Sequence, residues 1–429
     1  MSVSAPSRFY LTTLGCKLNF AESSALVNAF IAKGWRQTRA AAEADLIVVH
    51  SCAVTAVAEK KTRQIISKLI KTAPNARFAV TGCMADVNSE VLKSLLAGTN
   101  HLIVKHSQKM KLPELVSEVI VSNDTIESFV SAYSLEQRTR SFLKIQDGCD
   151  YFCSYCTVPY ARGRSVSNTI SGVMSDVEQI ISKGFREIIL TGVNIGTFGL
   201  NNNESFFQLL RTMDSNLSGI RIRLGSTEPE LLSPEIIDLV AQSKIIMPHF
   251  HLPLQSGCDL TLKRMHRRYD TRLFRDRVNA IKNMIPHACV AADVIAGFPG
   301  ETADEFTTTY DFIKSLEISY LHVFPYSDRP LANASKSPDQ VHPHEIRHRV
   351  NQLLELGKEK QQSFFKKNTG TIRPMLAEGT SKNGLRFGFT DNYIKCGVDE
   401  NSINENAVIS VILSKINEDL DFVYADSTT

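Results

Sequence analysis

The chain has 429 residues, 43% hydrophobic and 22% charged, with a formal net charge of +3. That size predicts two or three domains with ample chain for several cores. The small net charge decides nothing about partners, and the absence of any run of about eighteen apolar residues excludes a membrane-spanning helix.

The start, "MSVSAPSRFYLTTLGC", has no basic segment followed by an apolar stretch and a cleavage site, so a cytoplasmic location is expected. Nine cysteines, an odd number without a compact secreted pattern, are expected to stay mostly reduced there. Clustered thiols in that compartment more often bind metal or do chemistry.

From residue 8 to about 106, apolar runs of strand length alternate with helix-like segments. Three of them, "RFYLTTLGC", "DLIVVHSC" and "RFAVTGC", each deliver a cysteine at the strand end. Such alternation predicts a parallel sheet, whose ligand sites lie outside the carboxyl ends of the strands. Neighbouring strands run roughly 4.8 Å apart, so Cys16, Cys52 and Cys83 are expected to converge on one object the size of a small metal cluster. This domain is placed at residues 1–120, and a polar linker at 121–140.

Six further strands follow at βα spacing within residues 141–330: "FLKIQ", "EIILTGV", "IRIRLGS", "HFHLPL", "CVAADVIAG" and "YLHVFPY". They predict a partial (β/α)6 barrel with its site on the loops after the strands. The loop after the first strand reads "DGCDYFCSYCTVPYARGR" and holds Cys149, Cys153 and Cys156 within eight residues. Residues 331–363 read as a connector and helix. Short β runs between Gly, Asn and Asp turns over 364–429 predict a small antiparallel β-barrel. The fold class expected is therefore α/β, with that barrel appended.

Soft thiolates suit zinc or iron–sulfur clusters. Structural zinc takes four closed ligands, and no fourth Cys or His follows the loop at a plausible spacing. A 4Fe-4S cube held by three thiolates keeps one iron open to a chelating ligand, which turns an electron carrier into a reaction site. Cys258, Cys289 and Cys396 are expected to be bystanders.

The C-x3-C-x2-C segment with Tyr155 before its last cysteine resembles the cluster motif of radical S-adenosylmethionine enzymes. Nearly the whole chain is similar to the radical S-adenosylmethionine methylthiotransferases, through "TLGCKLN", "LTGVNIGTFG", "HLPLQSGCDLTLKRM", "DVIAGFPGET", "FPYSDRP" and "FTDNYIKC". The likeness is greatest to the branch acting on N6-threonylcarbamoyladenosine in tRNA. It implies two 4Fe-4S clusters, one on Cys149, Cys153 and Cys156 and an auxiliary one on Cys16, Cys52 and Cys83. It also implies an RNA-binding TRAM domain at the C-terminus.

The resemblance places Tyr155 near the adenine of S-adenosylmethionine, Asn194 near its methionine end, Gln255 and Ser256 near the ribose, and Gly297 to Glu301 along the adenine wall. Where such enzymes usually carry a Gly-Gly-Glu-like segment, this chain has "TGVN". Gly297 and Gly300 are read as allowing close approach of a ligand. Arg162 and Arg164 are the nearest candidates for a cationic substrate wall.

The activity implied is transfer of a methylthio group to carbon-2 of the modified adenosine 3′ of the anticodon. The alternatives are the same chemistry on isopentenyladenosine or on a ribosomal-protein aspartate, and a two-cluster electron carrier. Partners implied are a tRNA anticodon stem-loop, an electron donor such as flavodoxin or ferredoxin, and a sulfur donor. Residues 364–429 carry seven Lys/Arg against nine Asp/Glu, so the stretch from Lys263 to Arg277, with seven basic and two acidic residues, is the better phosphate candidate. Phe387, Phe389 and Tyr393 are candidate stacking surfaces for unpaired bases.

Overall fold

The computed structural model describes residues 7–53, 55–117, 129–135 and 139–428. Most of the linker expected at 121–140 lies outside them. The chain forms two compact units. The first comprises Met1–Glu136, Phe142–Asn168 and Ser327–Ser335; the second comprises Gln137–Ser141, Thr169–Tyr326 and Lys336–Thr429.

The first unit opens with β1 (Arg8–Thr13), α1 (Lys17–Ala32), β2 (Arg36–Gln37), β3 (Leu46–Ser51) and α2 (Ala56–Thr72). It continues with β4 (Arg77–Gly82), α3 (Cys83–Val87), α4 (Ser89–Leu95), β5 (His101–Ile103) and α5 (Leu112–Val116). All five strands are parallel, in the order β2-β1-β3-β4-β5. The central β3, "LIVVHS", is buried along its whole length, which is why it reads as a continuous apolar run rather than an alternation. Gly82 turns β4 into α3 at φ +93°, where a Cβ would lie 2.4 Å from the Ser51 carbonyl oxygen. No other residue type fits that turn.

A short hairpin of β6 (Ala132–Tyr133) with β7 (Arg140–Lys144) leads onward, and β7 itself is divided between the units. Within the first unit, β8 (Gln146–Asp147) and β9 (Val166–Ser167) pair antiparallel and pinch the base of the three-cysteine loop, which contains α6 (Val158–Arg162).

The second unit runs through α7 (Ile170–Ser182), β10 (Glu187–Thr191), α8 (Phe206–Asn216), β11 (Arg221–Arg223), α9 (Pro234–Gln242) and β12 (His249–Gln255). Then come α10 (Asp259–Arg264), α11 (Thr271–Met284), β13 (Cys289–Ala296), α12 (Ala303–Ser315), β14 (Tyr320–Pro325) and α13 (Pro343–Asn368). Thr169, Ser205, Asp270 and Thr302 cap α7, α8, α11 and α12 with their side chains, each such cap contributing about 0.5–2 kcal/mol. β12, β13 and β14 pair in parallel, β10 pairs β11, and single bridges at Ile222–Ile246 and Ser226–His251 connect the two sets.

The C-terminal strands β15 (Ile372–Lys382), β16 (Leu385–Thr390), β17 (Lys395–Asp399), β18 (Val408–Ile416) and β19 (Val423–Ser427) close a barrel in the order β15-β16-β17-β19-β18. It is antiparallel except at one seam, where β17 and β19 run parallel. Met375, Ile394, Cys396, Val411, Leu413 and Val423 fill it. Arg221 and Arg223 of β10's neighbour β11 reach the Thr390 carbonyl at 2.8 and 3.2 Å, seating the Thr390–Tyr393 turn against the (β/α) portion.

Candidate functional site

Cys16, Cys52 and Cys83 follow β1, β3 and β4, three adjacent parallel strands, and the Cys83 thiol feels the charge of both others. Gly15, at φ +108°, lets the first turn pass over the second. A Cβ there would lie 2.8 Å from the Cys52 Cβ and 2.9 Å from its Sγ. Burial pushes the Cys83 thiol up to about 11, against the pull of the Arg162 guanidinium. A buried thiol of this kind is poor at ionising unaided and is suited to a bound cation that displaces its proton.

Arg162, the last residue of α6, is buried within the first unit. Its guanidinium donates to Asn19 Oδ1 at 2.6 Å, Asp147 Oδ1 at 2.8 Å and Glu22 Oε2 at 3.2 Å. Lys144 joins Glu22 and Asp147 at 2.9 and 2.6 Å, and Lys109 reaches Glu22 at 2.5 Å. Burial alone would raise Glu22 and Asp147, but these cations hold both well below the usual carboxylate range. Burial drives His50 and His106 down to about 3 and 4, so both are neutral. Three cations against two carboxylates leave one positive charge beside the cysteines, of the sign that favours thiolate. Glu22, His106 and Asp147 have metal-binding spacing, but the three cations already occupy them. The substrate wall expected of Arg162 is thereby corrected: a side chain this enclosed and this fully engaged faces no tRNA.

The second cysteine set also belongs to the first unit. Gly148, at φ +67°, enters the loop where a Cβ would fall 2.0 Å from the Arg164 carbonyl oxygen, and the Cys149 amide donates to the Gly163 carbonyl at 3.1 Å. The Val158 amide donates to the Cys156 sulfur at 3.4 Å, a bond that stabilises a thiolate or a cluster sulfur ligand. Cys153 is buried, while Cys149, Tyr155 and Cys156 are partly exposed. None of the nine cysteines is joined in a disulfide. The donor set therefore fits a cluster at each position. Arg164 is exposed, paired with Asp150 at 3.3 Å and laid over the Phe152 ring at 5.0 Å.

The other expected contacts line the rim of the second unit. Asn194 is buried in the turn after β10 and accepts the Thr197 amide on its carbonyl. Gln255 ends β12 at φ +64°, beside a register shift between Pro253 and Gln255. Bulges and left-handed non-glycine residues concentrate at functional sites. Ser256 is fully buried, and its hydroxyl is spent on Thr309 at 3.1 Å and on the Cys258 amide at 3.2 Å. The ribose contact expected of it is corrected to a structural one.

Gly297 and Gly300 do sit at positive φ, but the space a Cβ would need at Gly297 is filled by Ile346 of α13, 2.4 Å away. Its glycine is required by packing against that helix, not by a ligand. Glu301 braces the same junction, accepting from the Gly297 amide and from Arg349, both at 2.7 Å.

Several residues were not anticipated from the sequence. Glu228 and Glu230 follow β11; burial pushes Glu228 up to about 7 against its ion pair with Arg267. Both carboxylate oxygens of Glu230 are buried and have no hydrogen-bond partner among the described residues, a position that calls for a donor. Their only signal was position, on the loop after a barrel strand. Of the aromatic candidates, Phe389 and Tyr393 stack on each other under Arg140 and Arg223, whereas Phe387 joins Phe422, Tyr424 and Lys395 on the C-terminal barrel. Lys263, Arg268 and Arg272 of the basic stretch are exposed.

Comparison with known proteins extends these observations. Residues 8–103 match the uncharacterized protein family UPF0004, and residues 143–313 match the radical SAM superfamily. The chain is 34% identical over 400 residues to the threonylcarbamoyladenosine tRNA methylthiotransferase MtaB of Bacillus subtilis, covering 89% of this chain and 88% of that one. It is 32% identical over 429 residues to a tRNA-2-methylthio-N(6)-dimethylallyladenosine synthase of Clostridium botulinum, covering 94% of each. Among solved structures, the radical S-adenosylmethionine methyltransferase TsrM of Kitasatospora setae superposes with a TM-score of 0.56 at 14% identity, over 77% of each chain, a likeness of fold alone.

Proposed function

This chain belongs to the radical S-adenosylmethionine tRNA methylthiotransferases, and from that premise we propose that its acceptor is carbon-2 of N6-threonylcarbamoyladenosine beside the anticodon. The observation that carries methylthio transfer is the additional set of three cysteines, Cys16, Cys52 and Cys83, on three adjacent strand ends of the unit that also holds the buried cationic network. Support for the acceptor comes from relatives named for threonylcarbamoyladenosine at 31 to 34% identity, the synthases named for dimethylallyladenosine matching at 30 to 32%.

Cys149, Cys153 and Cys156 would hold one 4Fe-4S cluster, and Cys16, Cys52 and Cys83 the other. Bound there, the clusters would supply the electron chemistry for cleaving S-adenosylmethionine and a site for the sulfur to be transferred. The residues of the chain do the rest. Asp147 and Glu22 fix Arg162 so that its charge offsets that of the thiolates. Gln255, Glu228 and Glu230 present acceptors for the cosubstrate, and Tyr155 lies in the cluster loop where the adenine is expected. The C-terminal barrel and the exposed Lys263, Arg268 and Arg272 would meet the anticodon arm. The electron would come from a flavodoxin- or ferredoxin-type donor, and the sulfur from a separate donor.

The test uses reduced enzyme, S-adenosylmethionine, a sulfur source and two anticodon stem-loops, one bearing threonylcarbamoyladenosine and the other isopentenyladenosine, with mass spectrometry of the nucleosides. A methylthio product on the first is expected. Product confined to the second would overturn the acceptor and leave the reaction class standing.

A further inference from the structure

β12, β13 and β14 carry a feature unused by either cysteine set. His251 Nε2 lies 2.7 Å from Asp293 Oδ1, and His322 Nδ1 lies 3.1 Å from the same oxygen. Asp293 is held well below the usual carboxylate range: burial would raise it, but bonds from both imidazoles outweigh that. An ionised carboxylate only accepts, so Nε2 of His251 and Nδ1 of His322 both carry hydrogen. That leaves His251 Nδ1 and His322 Nε2 as the ring nitrogens not bound to Asp293.

These side chains lie on one open face of the sheet. Along β13, Ala292, Val294 and Ala296 are buried, while Asp293 and Ile295 between them are partly exposed. Asp293 pairs in register with His322, and Ile295 with Phe324, which is 40% exposed. The His322 side chain is 46% exposed. The face is thus polar at one level and apolar and aromatic at the next, two residues nearer the carboxyl ends of the strands.

We propose that this face binds the modified adenosine, with Phe324 and Ile295 against the purine and His322 and His251 reading the carboxylate and hydroxyl of its N6 substituent. The inference rests on the acceptor reading above and deepens it. A backed imidazolium donates to a carboxylate, and a backed neutral imidazole accepts from a hydroxyl or N–H, so the pair suits a threonylcarbamoyl group in either state. An isopentenyl chain offers neither, and would set an apolar group against the two imidazoles in place of a hydrogen-bonding one.

The experiment is fluorescence anisotropy with reconstituted enzyme and three anticodon stem-loops, carrying threonylcarbamoyladenosine, isopentenyladenosine or unmodified adenosine. Wild-type protein should prefer the first. His322→Phe should lose that preference by about tenfold or more, with binding of the unmodified stem-loop, iron content and circular dichroism unaltered, and His322→Gln should restore part of it. Preference retained in His322→Phe would overturn the inference alone. Absence of preference in the wild type would overturn the acceptor reading and this inference with it. A stoichiometric divalent ion, found by elemental analysis and lost in Asp293→Asn, would show a metal centre instead.

Discussion

Gln255 holds a backbone conformation that costs a non-glycine residue about 1–2 kcal/mol, in a strand whose register slips beside it. If that strain serves ligand binding, Gln255→Gly should leave the thermal midpoint unchanged or raised, while S-adenosylmethionine binds more weakly by anaerobic titration. A lower midpoint with affinity intact would show the side chain to be structural. Gly15 makes the converse case. An alanine there would be strained at φ +108° and would press on both Cβ and Sγ of Cys52, so Gly15→Ala should lose iron from the auxiliary set while cleavage of S-adenosylmethionine persists. Full iron occupancy in that variant would refute the convergence of Cys16 with Cys52.

Among elements, the C-terminal barrel is seated through β11. Glu187 of β10 lies 3.0 Å from Arg221 and 2.9 Å from Arg223, while the same guanidiniums reach the carbonyls of the Thr390–Tyr393 turn. Burial would raise Glu187, but the arginines bring it down to about 2. Its folded value lies below its unfolded one of about 4.3, so its stabilisation is complete above that pH and drains away as pH falls towards 2. Glu187→Gln should therefore cost about 3–5 kcal/mol near neutrality, by leaving buried guanidiniums uncompensated. It should also flatten the acid side of the stability curve in urea titrations between pH 5 and 2. A variant with the acid slope of the wild type would place that slope elsewhere.

The strands flanking these residues were legible, because apolar runs bounded by side-chain caps and turns carry their own local signal. The placement of the six cysteines, three at adjacent strand ends and three on one loop, was legible from spacing and strand position. The partners of Arg162 were not, since Glu22 stands 140 residues away. Nor were His251, Asp293 and His322, which only strand register assembles. The parallel seam of β17 with β19 escaped for the same reason: alternation reveals a strand but not the direction of its neighbour.

For the whole molecule, the two cysteine sets predict separable losses. Replacing Cys16, Cys52 and Cys83 with alanine should remove one cluster, by iron analysis and Mössbauer spectroscopy, and spare reductive cleavage of S-adenosylmethionine. Replacing Cys149, Cys153 and Cys156 should abolish cleavage and spare the other cluster. Loss of both from either triple variant would show that the clusters are not independently held. The path of the chain through the first unit has a further consequence, for biosynthesis. Glu22 and Lys109 are translated early, but the Asp147, Lys144 and Arg162 that neutralise and position them come later. Later still is Arg329, whose guanidinium binds Glu59 and the Ala53 carbonyl beside Cys52. On the ribosome, where domains generally fold as units from the N-terminus, this one cannot close until residue 335 of 429 has left the exit tunnel. For most of translation the residues around Cys16, Cys52 and Cys83 therefore stand in an unfinished fold, so completion of that site is a late event, set by the emergence of residue 335 and not by synthesis of the N-terminal strands that carry the three cysteines.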